Sequence, residues 1–434
     1  MIPLLLLFAL GGLMHAALSF SSSVVSAELA FGFLLLAAYF TAKIVSRFGL
    51  PKLTGYILAG VITGPYVLGL VTTEMAVSLK LVSGTAAAII ALEAGAELQL
   101  EKIRPVMRTL RALAVVSVLG TAAAIAGVLY LLRGSLGFFA ELDETQTIAV
   151  CVLLGVALAA KSPAVAMALI SETRSEGPLT STILATVVVA DLGVIVCFSI
   201  ASALTGAVIG GGIDVATTVF NVCWALFGSV AFGIAIGMLI GVFLKVIKSG
   251  GASLFAVLIC VVVAEVGTRV RLDPLIVMLA AGIYLRNFSG ADTAQLLGNF
   301  AAAQLPVFLV FFALAGAKLH IFELWAAIIP VVLIAATRAA SFYLGAKVAT
   351  AATGAPEVVK RYAWYGLVPQ AGLALALALV LAKSFPSFGA EASVILFGVV
   401  GFNELIAPVV LRVVLLRSGE AGKKQGTDFA ANGQ

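Results

Sequence analysis

Charge is what this chain has least of. Of its 434 residues only 11 % are Asp, Glu, Lys or Arg, where a soluble globular protein carries roughly 25 %. So few charges do not keep a compact protein of this size in water, and two or three soluble domains are excluded. Histidine is almost missing, with His15 and His320 the two present, which excludes a histidine-based metal site. The four cysteines, Cys151, Cys197, Cys223 and Cys260, lie inside apolar segments with no short paired spacing. They read as small buried hydrophobes, not as disulfides or metal ligands. The net charge of +5 is scattered between apolar segments and builds no basic domain, so no nucleic-acid partner is expected.

What is present instead is apolar length. Hydrophobic residues make up 62 % and the mean hydropathy is +1.17. Apolar stretches of about 20 residues recur along the chain, the length a helix needs to cross a bilayer. A transmembrane β-barrel alternates over segments of about 10 residues and is excluded. The fold class is therefore an all-α polytopic membrane protein, with the lipid bilayer as its surroundings.

Breaks at Gly, Pro and charge clusters divide the chain into about 13 spans: 27–48, 52–70, 78–98, 105–133, 147–171, 178–206, 215–246, 251–270, 272–288, 299–320, 323–352, 356–385 and 388–417. If residue 27 starts outside, the inside ends collect 18 Lys and Arg. The outside ends collect 6, namely Lys80, Arg133, Arg269, Arg271, Lys318 and Lys383. That bias places the C-terminus in the cytoplasm. Residues 1–23 are apolar but lack a basic start, and read equally as a signal-like segment or as an extra helix. The tail 418–434, rich in Gly, Lys and Gln, reads as disordered.

An ionisable side chain at mid-membrane costs several kcal/mol and needs a reason. Asp191 sits about 13 residues into "ILATVVVADLGVIVCFSIA" with no charge within 10 residues on either side. A satisfied helix–helix hydrogen bond is one reading. An ion or proton site is the favoured one, because a carboxylate removed from water holds a proton more readily. Lys161, Ser162 and Pro163 lie mid-span in "LLGVALAAKSPAVAMALI". Proline there means a kink or a broken helix lining a cavity. Pro369, in "WYGLVPQAGLALALALV", interrupts a second span.

Arg338 stays protonated and needs an anion or water. Its candidate partners are Asp191, Glu404 and the carbonyl ends of the broken helices. Asn403 and Glu404 sit mid-span in the last helix. Glu93 shares a helix face with Glu97 and reads as a helix-pair contact or a vestibule residue. Glu265 is placed to pair with Arg269, its i+4 neighbour.

These features repeat. Spans 105–133, 147–171 and 178–206 read helix, Pro-broken helix, helix with a central acid, and 323–352, 356–385 and 388–417 read the same way. Each triplet starts from the opposite side of the membrane. That is the trace of an inverted repeat with two crossed broken helices.

"RFGLPKLTGYILAGVITGPYVLGLV", "ALEAGAELQLEKIRPVMR", "AEVGTRVRLDPLIVMLAAGIYLRN" and "FFALAGAKLHIFEL" resemble, in order, signature stretches of the monovalent cation:proton antiporters, in the sodium/proton exchanger and potassium-efflux branch. The resemblance runs from about residue 27 to 417. It implies 13 helices and a homodimer, with a dimerisation domain at 24–98 and 251–320. The core ion-transport domain would be 105–206 and 323–417, with 215–246 as a linking helix. Asp191 falls where the family carries its essential ion-binding aspartate, and Arg338 where it carries a basic residue. Two departures stand out: Ala190-Asp191 in place of Asp-Asp or Asn-Asp, and Lys161-Ser162-Pro163 in place of Thr-Asp-Pro, Thr-Ser-Pro or a Ser-Ser pair.

The expected function is secondary antiport of protons against Na+ or K+ by alternating access, in the inner (plasma) membrane of a bacterium. Asp191 and Ser162 would bind the ion or proton, with Lys161 and Arg338 modulating the site. Pro163 and Pro369 are the helix breaks; Glu404, Asn403, Glu93 and Glu265 are of second rank. No enzyme activity, no cofactor, and no metal beyond transported Na+ or K+ is expected. The alternatives are proton-linked transport of a small anion on the same fold, or a non-transporting sensor or scaffold.

Overall fold

The computed structural model describes residues 9–14, 27–209, 220, 223–246, 252–270, 272–291, 293–319 and 327–423. His15, His320, most of 1–23 and the tail from 424 lie outside the described residues. All regular structure described is helical, with eight helices long and apolar enough to cross a membrane and four shorter apolar ones.

Two groups of helices make most of their contacts within themselves and share one apolar core where they meet. The first holds α1 (Ala27–Arg47), α2 (Lys52–Thr63), α3 (Lys80–Glu97), α8 (Ser229–Val246), α9 (Ala252–Arg269), α10 (Pro274–Asn287) and α11 (Ala294–Ala317). Apolar lipid offers helices no hydrophobic drive to associate, so close backbone contact at small residues has to hold them. At the α3–α10 crossing a Cβ on Gly95 would strike the Leu279 carbonyl, and one on Gly282 the Leu92 carbonyl. Glycine at both positions lets the two backbones touch.

The second group contains both repeats. In the first, α4 (Met107–Val115 and Thr121–Leu132, joined by a π-helical turn, Val116–Gly120) is followed by α5 (Glu144–Leu158), α6 (Pro163–Thr173) and α7 (Pro178–Ile209). In the second, α12 (Ile328–Thr353) is followed by α13 (Glu357–Tyr362, tightening to 3-10 over Ala363–Leu367), α14 (Gly372–Ser384) and α15 (Gly389–Arg417). The α5–α6 and α13–α14 pairs are the interrupted helices, and their breaks lie against each other. The sequence spans 147–171 and 356–385 are thus each two half-helices.

The tail departs from its sequence reading at its start. Glu420 is 3 % exposed, and its carboxylate caps the first turn of α7. Oε1 accepts the Leu179 N–H at 2.7 Å; Oε2 accepts the Thr180 N–H at 2.8 Å and the Thr180 hydroxyl at 2.6 Å. The Glu176 N–H donates to the Glu420 carbonyl and the Gly422 N–H to the Thr173 carbonyl, both at 3.0 Å. Composition marks this stretch as disordered because it lacks apolar residues. It is ordered because orphan helix N–H groups attract a carboxylate. Glu420→Ala is therefore expected to cost about 1–3 kcal/mol, read as a lower melting temperature in detergent, with Glu420→Gln recovering part of the loss. An unchanged melting temperature would show the cap to be dispensable.

Candidate functional site

The first break begins where α5 runs out of helix at Leu158. Ser162 is extended (φ −129°, ψ 100°) and caps α6, its Oγ accepting the Val165 N–H at 3.2 Å. Pro163 is the first residue of α6, where its missing N–H removes no helix bond. The second break spans residues 368–371 and contains Pro369.

Helix ends stopped inside the bilayer leave carbonyls without partners, and carbonyl ends carry partial negative charge. Arg338, on α12 and 1 % exposed, reaches both breaks. Its Nε donates to Leu158 O at 2.8 Å, one terminal nitrogen to Val368 O at 2.5 Å, and the other to Ala160 O at 2.6 Å. Lys161 is fully buried, and its Nζ donates to Ala159 O at 2.9 Å and Ser117 O at 3.4 Å. Ser117 belongs to the π-helical turn of α4; such turns loosen the backbone ladder and expose carbonyls. Both cations lie over the Phe342 ring, at 4.7 Å for Arg338 and 5.1 Å for Lys161.

Asp191, midway along α7, is 9 % exposed. Its Oδ1 accepts the backbone N–H of Lys161 at 2.9 Å. The ammonium of Lys161 turns away to the helix-end carbonyls, so the contact between these two residues is made by the amide. Oδ2 of Asp191 has no hydrogen bond among the described residues.

A cavity of about 90 Å³ adjoins Asp191, lined by Lys161, Ser162, Pro163 and Leu373 from the second group and by Ile90, Leu279 and Phe311 from the first. It is large enough for several waters. The structure thus brings Asp191, Ser162, Lys161, Pro163 and Arg338 to one crossing.

Other residues singled out from sequence fall elsewhere. Asn403 donates its Nδ2 to Gln370 Oε1 at 3.0 Å, and Gln370 Nε2 reaches Leu158 O at 3.3 Å. Asn403 therefore acts on the crossing through Gln370. Glu404 is 1 % exposed, and neither carboxyl oxygen has a hydrogen-bond partner among the described residues; it does not line the cavity. Glu93 is buried on α3 beside the lining residues without being one. Glu265 pairs with Arg269 on an exposed face, with the Arg269 Nε at 3.0 Å.

Two contributors escape sequence reading: Gln370 and Ser117. Gln370 is uncharged, and Ser117 contributes only its carbonyl. A polar residue directly after Pro369 was the one available signal for Gln370.

Helices broken at mid-membrane and crossed in pairs are the architecture of secondary carriers, in which half-helix ends face the transported ion. The sequence matches the transmembrane sodium/hydrogen exchanger family over residues 31–417, and the chain belongs to that family. It is an integral membrane protein of the transporters that couple protons to cations, not an enzyme. In fold it is similar to the sodium proton antiporter MjNhaP1 from Methanocaldococcus jannaschii at pH 8, with 17 % identity, TM-score 0.62, and 91 % of this chain and 95 % of that one covered. A three-dimensional electron-microscopy map of the same antiporter gives 19 % identity, TM-score 0.67 and coverage of 89 % and 96 %. No curated protein sequence matches the chain.

Proposed function

We propose that the protein exchanges protons for Na+ or K+ by alternating access, with Asp191 holding proton and cation in turn. The observation that carries this reading is the open Oδ2 of a buried carboxylate on the wall of a cavity between two helix groups. One carboxylate binds a proton or a metal cation, not both together, so competition for it produces antiport without a separate coupling device. Ser162 supplies an uncharged oxygen beside it.

The donors of Lys161 and Arg338 are engaged by helix-end carbonyls, which favours a cation over a small anion as the cargo. On the face opposite the α9–α10 loop the two groups are tied together. The Lys52 N–H donates to Glu172 at 3.1 Å, Arg412 donates to Gly49 O at 2.6 Å, and Arg412 lies 3.7 Å from Glu172. Such ties close one face while the other admits the ion. In this reading residues 105–206 and 323–417 move against a dimeric scaffold of 24–98 and 251–320. In this reading the tied face looks toward the cytoplasm, which the Lys and Arg bias of the loops supports, and the membrane is the plasma membrane of a bacterium.

The test is cation-dependent dequenching of a pH-sensitive dye in proteoliposomes. Na+ or K+ drives the signal under this reading, anions drive it under the anion alternative, and a sensor or scaffold gives none.

Lys161 brings an amino group that can carry positive charge close to the proposed cation site. Lys161→Thr is therefore expected to lower the apparent KM for the cation about threefold or more, at some loss of stability. The cation titration of exchange at several pH values checks it. A KM unchanged across that series would show that this charge does not reach the cation.

A further inference from the structure

Asp273 stands at the start of α10, across the cavity from Asp191, on the helix group that Asp191 does not belong to. Its backbone N–H donates to Ser229 Oγ at 2.8 Å, which fixes the residue to α8. Its Oδ1 caps α10, accepting the Leu275 N–H at 2.8 Å and the Ile276 N–H at 3.3 Å. Pro274 follows as the first helical residue. Oδ2 has no hydrogen bond among the described residues. Asp273 lines the same cavity as Asp191. A cap needs one carboxylate oxygen, and Asn or Ser serves there equally well. The negative charge in a largely apolar wall is therefore not explained by capping.

We infer that Asp273 is a second binding station for the transported monovalent cation, at the end of the cavity nearest the α9–α10 loop. It draws the cation into the cavity and shares it with Asp191 when Asp191 faces that side. Two carboxylates on opposite walls attract a cation more strongly than either alone, and the apolar lining weakens screening between them. Because Asp273 belongs to the first helix group and Asp191 to the second, their separation changes as one group moves against the other. The station therefore acts from one face of the membrane only. This inference rests on the cation-exchange reading of Asp191.

The experiment uses Asp273→Asn and Asp273→Ser, both of which keep an α10 cap, in membrane vesicles of each orientation. The cation KM is measured from either face, beside Asp191→Asn. The expected result is a KM raised about threefold or more from the face of the α9–α10 loop. KM from the other face and kcat stay close to wild type, and Asp273→Glu restores the KM. A KM unchanged on both faces, or raised equally on both, overturns the station. Equal change is what loss of a structural cap alone produces. If Asp191→Asn still exchanges protons for cations, the reading of Asp191 itself fails, and that outcome is separate from the behaviour of the Asp273 variants.

Discussion

Asp191→Asn is expected to abolish proton-coupled cation flux while the protein folds and melts as wild type. Asparagine keeps the shape of the side chain, and its amide oxygen still accepts the Lys161 N–H that Asp191 receives at 2.9 Å. It loses both properties that exchange requires: it cannot take and release a proton, and it offers a cation no negative charge. Among the described residues no other carboxylate of the same helix group lines the cavity, Glu404 being buried away from it. The check is dye dequenching in proteoliposomes beside thermal unfolding in detergent. Flux above about a tenth of wild type would overturn the single-carboxylate mechanism, because a factor of ten corresponds to only about 1.4 kcal/mol.

Arg338→Ala is expected to lower stability whatever ion is present. The guanidinium joins carbonyls of α5 and its break to a carbonyl of the second break, so its removal strips the Ala160 and Val368 carbonyls of this donor and leaves Leu158 O with Gln370 alone at 3.3 Å. Each such acceptor costs roughly 1–3 kcal/mol, and the hollow left over Phe342 adds to the loss. Lysine places a charge there but cannot reach several carbonyls at once in a planar fork, so Arg338→Lys should recover only part. The deciding measurement is the melting temperature of both variants beside the pH profile of exchange. A displaced pH optimum with normal stability would show that Arg338 acts mainly on Asp191 and not on the helix ends.

The buried positive charges answer a question the sequence poses. Read along the chain, Lys161 and Arg338 are two cations near a proposed cation site, an arrangement that weakens binding. In the folded protein their donors face the negative ends of interrupted helices, and Asp191 is held by an amide instead of by an ammonium. The π-helical turn at Val116–Gly120 supplies the Ser117 carbonyl that completes the Lys161 cradle.

What the sequence by itself determined is whatever depends on composition and near neighbours. Scarce charge and apolar length made a helical membrane protein. Pro163 and Pro369 marked both breaks, because proline's missing N–H is a local property. The i+4 spacing of Glu265 and Arg269 foretold their pair, and the order of signatures carried the family. The tertiary structure alone decided which distant groups meet. Glu420 reaches Leu179 and Thr180 across about 240 residues, Arg338 reaches Leu158 across 180, and Gln370 reaches Leu158 across 212. Those partners are backbone N–H and carbonyl groups, which every residue carries save for the N–H of proline, so no pattern of side chains announces them. They become available only where a helix ends, and which side chain arrives there is set by how the helices pack.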